Sequence, residues 1–246
     1  MHPAFSQIDH RPWPLPERRW NWRQTWLDLL FAHWEVPAAL LRPLIPAGLE
    51  LQAFEGRHYI AVVPFRMEGV SPRGLPDLPG ISAFPELNVR SYVTCRGKPG
   101  VWFFSLDAAR RLAVWAARRF FHLPYYFAAM RLEEKDGVID YHSRRRHEPR
   151  GADLEARYRP TSAPYLAEKG SLEHWLTERY CLFAASPDGQ LHCGEIHHLP
   201  WPLQKAEAEF ARNTMTAPFD IPLLGEPILH FARRIEVAVW SLAPVD

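Results

Sequence analysis

The sequence predicts a mainly β domain with a few short helices (α+β), closed as a barrel-like or sandwich-like body. Three observations lead there. Apolar runs of strand length recur along the 246 residues, and Glu55-Gly56, Asp136-Gly137 and Asp188-Gly189 punctuate them with pairs suited to tight hairpin turns. The 24 prolines are spread along the chain, which interrupts long helices more than short strands and turns. The 10 tryptophans and 14 phenylalanines can fill a large aromatic core.

The elements follow in order. Residues 1–19 are rich in proline and predict an irregular arm; residues 20–246 predict a single domain. "WLDLLFAHWEV" is apolar on both faces and ends at Pro37, so it predicts a buried strand. "PAALLRPLIPAG" predicts a short helix with Pro37 in its first turn. "LELQAF" and "HYIAVVPFRM" predict a hairpin, and residues 69–85 a proline- and glycine-rich loop. "ELNVRSYV" alternates, and "VWFFSL" is the next strand. Asp107 is placed to cap a helix from Ala108 to about Phe121, which Pro124 stops. "YYFAAMRLE" and "VIDYHSRR" form the clearest hairpin. "LEARYRP" predicts a strand, and "SLEHWLTERY" a short helix capped by Ser171. "CLFAA" and "QLHCGEIHHL" predict a second hairpin. "LQKAEAEFA" has helical composition but strand-like alternation, and "ILHFARRIEVAVWSL" is the closing strand.

Composition narrows the function classes. A net charge of +1 provides no field favouring nucleic acid or an anionic membrane. Cys95, Cys181 and Cys193 are too few and unevenly spaced for a disulfide framework, which predicts a reducing, cytoplasmic setting. The N-terminal residues lack a signal-peptide pattern, and no apolar run is long enough to span a membrane. No phosphate-cradling glycine loop, dinucleotide fingerprint or nucleophile elbow is present, so no cofactor is expected. The basic run "SRRRHEPR" reads as a solvated hairpin end.

Three stretches carry polar chemistry. In "ELNVRSYV", Glu86, Asn88, Arg90 and Tyr92 share one strand face. Lining a cavity, Arg90 would clamp a carboxylate and Glu86 would act as acid or base; on a half-buried strand the same residues would simply be solvated. In "HCGEIHH", Cys193, Glu195 and His197 share a face opposite His192 and His198, but no fourth zinc ligand is specified, so no metal is expected and the roles of the histidines stay open. In "RRFFHLPYYFAAM", a strand would send Tyr125 and Tyr126 to opposite faces, leaving one phenol for a pocket.

The phrases "FAHWEVP", "FEGRHYIAVVPFRM", "FPELNVRSYV", "GVWFFSLDA", "FFHLPYYFAAM" and "GEIHHLPWPLQ" resemble the YqjF-like family of bacterial domain-of-unknown-function proteins, within the acetoacetate decarboxylase-like superfamily. The resemblance spans about residues 20–240. It implies an antiparallel β-barrel or cone around a mostly apolar pocket. In the decarboxylases a lysine after a proline forms a Schiff base with the substrate ketone, beside a second lysine. The matching positions here are Tyr125 and Tyr126, and Glu86 matches a strand glutamate of the pocket. A phenol cannot form an imine, and the lysines, Lys98, Lys135, Lys169 and Lys205, all fall in polar or turn settings. The expected function is therefore a small-molecule pocket without the covalent route. One form is non-covalent acid–base chemistry on a small keto or carboxylic acid through Tyr125, Glu86 and Arg90, with Tyr126, Asn88, His122 and Arg66 binding substrate. The alternative is non-catalytic binding or sensing of a small carboxylate or ketone. Aromatic surface is compatible with a homo-oligomer.

Overall fold

The computed structural model describes residues 2–78, 82–146 and 151–245. An arm containing one 3-10 turn (Pro3–Ser6) leads into β1 (Trp22–Glu35), α1 (Ala38–Leu41), β2 (Glu50–Leu51), β3 (Tyr59–Pro72), β4 (Phe84–Cys95) and β5 (Lys98–Ala108). Then come α2 (Arg111–Phe121), β6 (Tyr125–Lys135), β7 (Val138–Arg145) and β8 (Asp153–Pro160). The chain ends with α3 (Leu172–Thr177), β9 (Cys181–Ala185), β10 (Leu191–His197), β11 (Gln204–Asn213), β12 (Ile228–Val239) and β13 (Ala243–Pro244).

The strands join in one 13-stranded sheet whose pairings close on themselves. β12, β1, β3, β4 and β5 form a shared arc. One circuit returns from β5 through β6, β7, β8 and β11 to β12; the other returns through β9 and β10. Pairing is antiparallel except where β5 meets β6 and β9, both parallel to it. Those contacts sit where the two circuits part, and β6 reaches its place only after the crossover through α2.

A strand in the shared arc has a core on each side. Leu87 and Val89 of β4 pack with Tyr141, Leu154 and Tyr158 in one core. The opposite face sets Glu86, Asn88 and Arg90 across from Phe65, Val63 and Ala61, which belong to a second core containing Phe31 and Trp201. The hairpins after β6 and β9 form as expected. Asp136 and Gly137 both have positive φ, +54° and +77°, as the tight turn between β6 and β7 demands. The ambiguous "LQKAEAEFA" segment is strand β11, paired with β8, so its alternation outweighs its helical composition.

Four expectations need correction. Asp107 does not cap a helix: β5 continues through it, and α2 begins at Arg111 after Arg110, which makes no side-chain cap. "LELQAF" is not the partner of β3; β2 pairs with β4, and only Phe54 and Arg57 bridge around the Glu55-Gly56 turn. Loop 69–85 is shorter than predicted, because β3 runs to Pro72 and β4 starts at Phe84. The run "SRRRHEPR" is not uniformly solvated: Arg145 is buried, while residues 147–150 lie outside the described residues.

Candidate functional site

The polar face of β4 is not a solvent face. Glu86, Asn88, Arg90 and Tyr92 are 3%, 5%, 8% and 0% exposed, which rules out the half-buried reading. β4 runs inside the shared arc, between β3 and β5, with a core on each side, so both its faces are enclosed whatever their polarity. Four polar side chains in succession on an enclosed face carry a desolvation cost unless they are bonded or used.

Tyr125 and Glu86 are brought together. Register explains it: Glu86 lies across from Ala108, Asn88 across from Leu106, and Leu106 alongside Tyr125. Tyr125 Oη donates to Glu86 Oε2 at 2.8 Å. Burial drives the Glu86 carboxyl up to about 8; the Tyr125 hydrogen bond pulls the other way, and the Asp107 carboxylate adds to the rise. Burial and the neighbouring Glu86 push the Tyr125 phenol well above its ordinary range. Below, Tyr141 Oη donates to the Glu86 backbone carbonyl at 2.7 Å and fixes the strand beneath the acid.

Tyr126 faces the other way. It lies alongside Asp107, and the Arg145 guanidinium stacks 4.2 Å from its ring centroid. Arg145 Nη2 also reaches Asp107 Oδ1 at 2.8 Å, with both side chains almost fully enclosed. Alternation along β6 thus gives the adjacent phenols different partners.

Arg90 and Asn88 share the Glu86 face. Arg90 lies 5.3 Å above the Phe31 ring, and among the described residues its Nε and Nη2 have no hydrogen-bond partner; neither does Asn88 Oδ1. Tyr92, next along the face, bonds His33 Nε2 at 2.6 Å. Burial drives His33 well below its ordinary value, and the Arg90 charge reinforces the shift.

Arg66 and His122 are not brought to this face. Arg66 follows Phe65 on β3 and therefore points to the opposite side, where Nε bonds Asp28 at 2.7 Å and Nη1 bonds Glu68. His122 ends α2 in a left-handed conformation, φ +49°, with its ring 5.4 Å from that of His192. It lines an open groove of about 480 Å³ with Trp102, Phe103, Arg118 and Leu123. The lysines also lie elsewhere: Lys98 reaches Glu195, while Lys135, Lys169 and Lys205 are exposed.

The "HCGEIHH" residues anchor the arm. Glu195 accepts from Arg11 at 2.6 Å and Trp13 at 2.9 Å, and His197 Nε2 meets the Gln7 carbonyl at 3.2 Å. Among the described residues, no cluster of three or more His, Cys, Asp or Glu side chains is arranged to hold a metal ion. Among the same residues, no helix is long and apolar enough to cross a membrane.

Sequence reasoning missed Arg179, His230 and Trp201, which surround the same face. Arg179 lies between α3 and β9, with Cζ 4.8 Å from the Tyr92 ring centroid. Its only sequence signal is a charge after a short helix, which says nothing of where it packs.

The comparisons with known proteins bear on the family and the fold. The Bacillus subtilis protein YqjF, described as uncharacterized, is 49% identical over 229 residues, covering 93% of this chain and 94% of that protein. The enduracididine biosynthesis enzyme MppR complexed with pyruvate superposes with a TM-score of 0.66 at 12% identity, covering 97% of this chain and 93% of that one. Acetoacetate decarboxylase from Legionella pneumophila superposes with a TM-score of 0.61 at 16% identity, covering 99% and 94%. At such identities these two establish a shared fold, the acetoacetate decarboxylase-like one, and nothing finer. Residues 23–236 match the profile of DUF2071, described as an uncharacterized conserved protein, and the chain belongs to that family.

Proposed function

We propose that the protein catalyses non-covalent proton transfer on a small keto or carboxylic acid at the Glu86–Tyr125 pair. The observation that carries this reading is a buried carboxyl pushed up to about 8 and hydrogen-bonded by a phenol. Such a group exchanges protons readily near neutral pH, where an ordinary glutamate is only a weak base.

A keto acid would present its carboxylate to Arg90, whose planar fork matches two carboxylate oxygens. Ionised Glu86 would take a proton from the carbon beside the ketone. The C–H electron pair moves into the new C=C bond, and the carbonyl pair moves onto oxygen. Once protonated, Glu86 is a weaker acceptor for Tyr125, whose hydroxyl is then free to donate to the enolate oxygen. The route is non-covalent because this face carries phenols where an imine would need an amine. That a related fold holds pyruvate in MppR makes pyruvate a reasonable first probe.

The test is deuterium exchange at carbon in D2O, followed by NMR with pyruvate, 2-oxobutyrate, acetoacetate and 2-oxoglutarate. The wild-type protein should speed exchange in at least one of them. Glu86→Gln should lose about 100-fold or more, the usual contribution of a positioned acid–base group. Exchange no faster than in buffer for all four acids would leave ligand binding without chemistry as the reading of this face.

A further inference from the structure

We infer that Arg90 and Arg179 together form a binding site for a small dicarboxylate, one guanidinium for each carboxylate. The inference takes Arg90 from the reading above and needs neither Glu86 nor Tyr125.

Both cations are buried, with Arg90 8% and Arg179 6% exposed. Both approach the Tyr92 ring, with Cζ atoms 5.9 Å and 4.8 Å from its centroid. Neither makes an ion pair with a carboxylate among the described residues. The acids closest in sequence to Arg179 have other partners. Glu173 accepts from Tyr165 at 3.1 Å and meets His230 at 3.2 Å. Glu178 accepts from the Trp201 backbone N–H at 2.8 Å and from Tyr180.

Arg179 is held but not neutralised. Its Nε donates to the Trp175 carbonyl at 2.8 Å and its Nη1 to Gln52 Oε1 at 2.6 Å. Those bonds set the orientation of the guanidinium and leave Nη2 without a hydrogen-bond partner among the described residues, as Nε and Nη2 of Arg90 are. Burial, with Arg90 adding to it and Tyr92 opposing it, lowers Arg179 to about 10, so it remains a cation at neutral pH.

Two like charges in one enclosed aromatic setting repel each other and have lost their hydration. Stacking on Phe31, Tyr92 and Trp175 offsets part of that cost. The rest is offset when anions meet the open edges of the guanidiniums. The donors are side-chain forks, which fit carboxylates in the bidentate manner. Among the described residues, no glycine loop or long-helix N-terminus is seen to present backbone N–H groups to this face, as a phosphate cradle would. Among the described residues, Trp201 Nε1 and His230 Nδ1 also have no hydrogen-bond partner; the Trp201 ring lies 4.9 Å from Phe31, and His230 lies across from Phe31 on β12.

Calorimetric titration of the full-length protein with succinate, propionate and inorganic phosphate tests this. Succinate should bind at least about tenfold more tightly than propionate, a difference of ~1.4 kcal/mol. Arg179→Gln should lower succinate affinity by about tenfold or more and change propionate affinity less than about twofold, as expected for one charged contact. Arg179→Lys keeps the charge, covers the case where the glutamine variant fails to fold, and should fall between. Succinate no tighter than propionate, equal losses for both acids in Arg179→Lys, or phosphate as tight as succinate would each overturn the proposal. Binding and exchange separate the two readings. Selective succinate binding without proton exchange would remove the chemistry and leave this site standing; exchange without dicarboxylate preference would do the reverse.

Discussion

Tyr125 Oη and Glu86 Oε2 lie 2.8 Å apart in the interior, joining the strand after the α2 crossover to the middle of the shared arc. A buried carboxyl with a phenol as its bonding partner links the stability of the fold to pH.

Because Glu86 binds its proton more tightly when folded, up to about 8 against 4.5, the folded state holds more protons between those values. Its contribution is therefore fully present below about pH 4.5 and is lost progressively as pH rises through 8, by several kcal/mol in all. Glu86→Gln should flatten that slope and stabilise the protein on the alkaline side. Tyr125→Phe removes the bond that favours ionisation and should raise the Glu86 value further. Urea denaturation across pH measures both.

The acid side belongs to buried histidines. Desolvation lowers His198 to about 4 from 6.5, so it stays neutral when folded and protonates more readily when unfolded. Its contribution is fully present above about pH 6.5 and is lost as pH falls through 4. In the Glu86→Gln background, stability should fall on acidification over this window. The His198 ring resonances, followed by NMR, should stay at their neutral positions until well below pH 6.5.

The Arg145–Asp107 pair should show the asymmetry of enclosed charges. Arg145→Met removes an enclosed ion-pair partner of the Asp107 carboxylate, and a lowered stability is expected in equilibrium unfolding. Adding Asp107→Leu removes the acid of the pair as well and should recover part of that loss.

Gly100 is the point where β5 touches β9. A β-carbon there would lie 2.7 Å from Phe183 Cε2, 2.8 Å from Cys181 Sγ and 2.9 Å from the Cys181 carbonyl. Backbone and ring cannot both withdraw cheaply, so Gly100→Ala should destabilise by about 1–3 kcal/mol, read as a lowered urea midpoint.

Local rules made much of the fold legible. Turn pairs located the β6–β7 and β9–β10 hairpins, and Ser171 does cap α3 by accepting from the His174 N–H at 3.2 Å. Alternation placed Glu86, Asn88 and Arg90 on one face, and period two sent Tyr125 and Tyr126 apart. Alternation alone could not say which faces were wet, because that depends on strands distant in sequence closing over β4. For the same reason Asp107 looked like a cap: a short acid after an apolar run fits a helix start until Arg145, 38 residues on, is seen to hold it. Arg66 adjoined the right strand but followed Phe65, and one residue along a strand is the difference between two cores. Arg179 was illegible because only the packing of α3 against Tyr92 gives it a role.

The order in which the circuits are sealed has a consequence for synthesis. β1 pairs along its length with β12, so within this sheet a strand made early waits for one made late. Until β12 arrives, neither circuit can close, and the acid and the arginine of β4 remain hydrated and inexpensive to hold. Their burial is deferred to the final step of assembly, when the rest of the sheet is present to enforce it. A chain truncated before Ile228 would thus lack the closure as well as a strand, and should expose apolar surface that the complete chain hides.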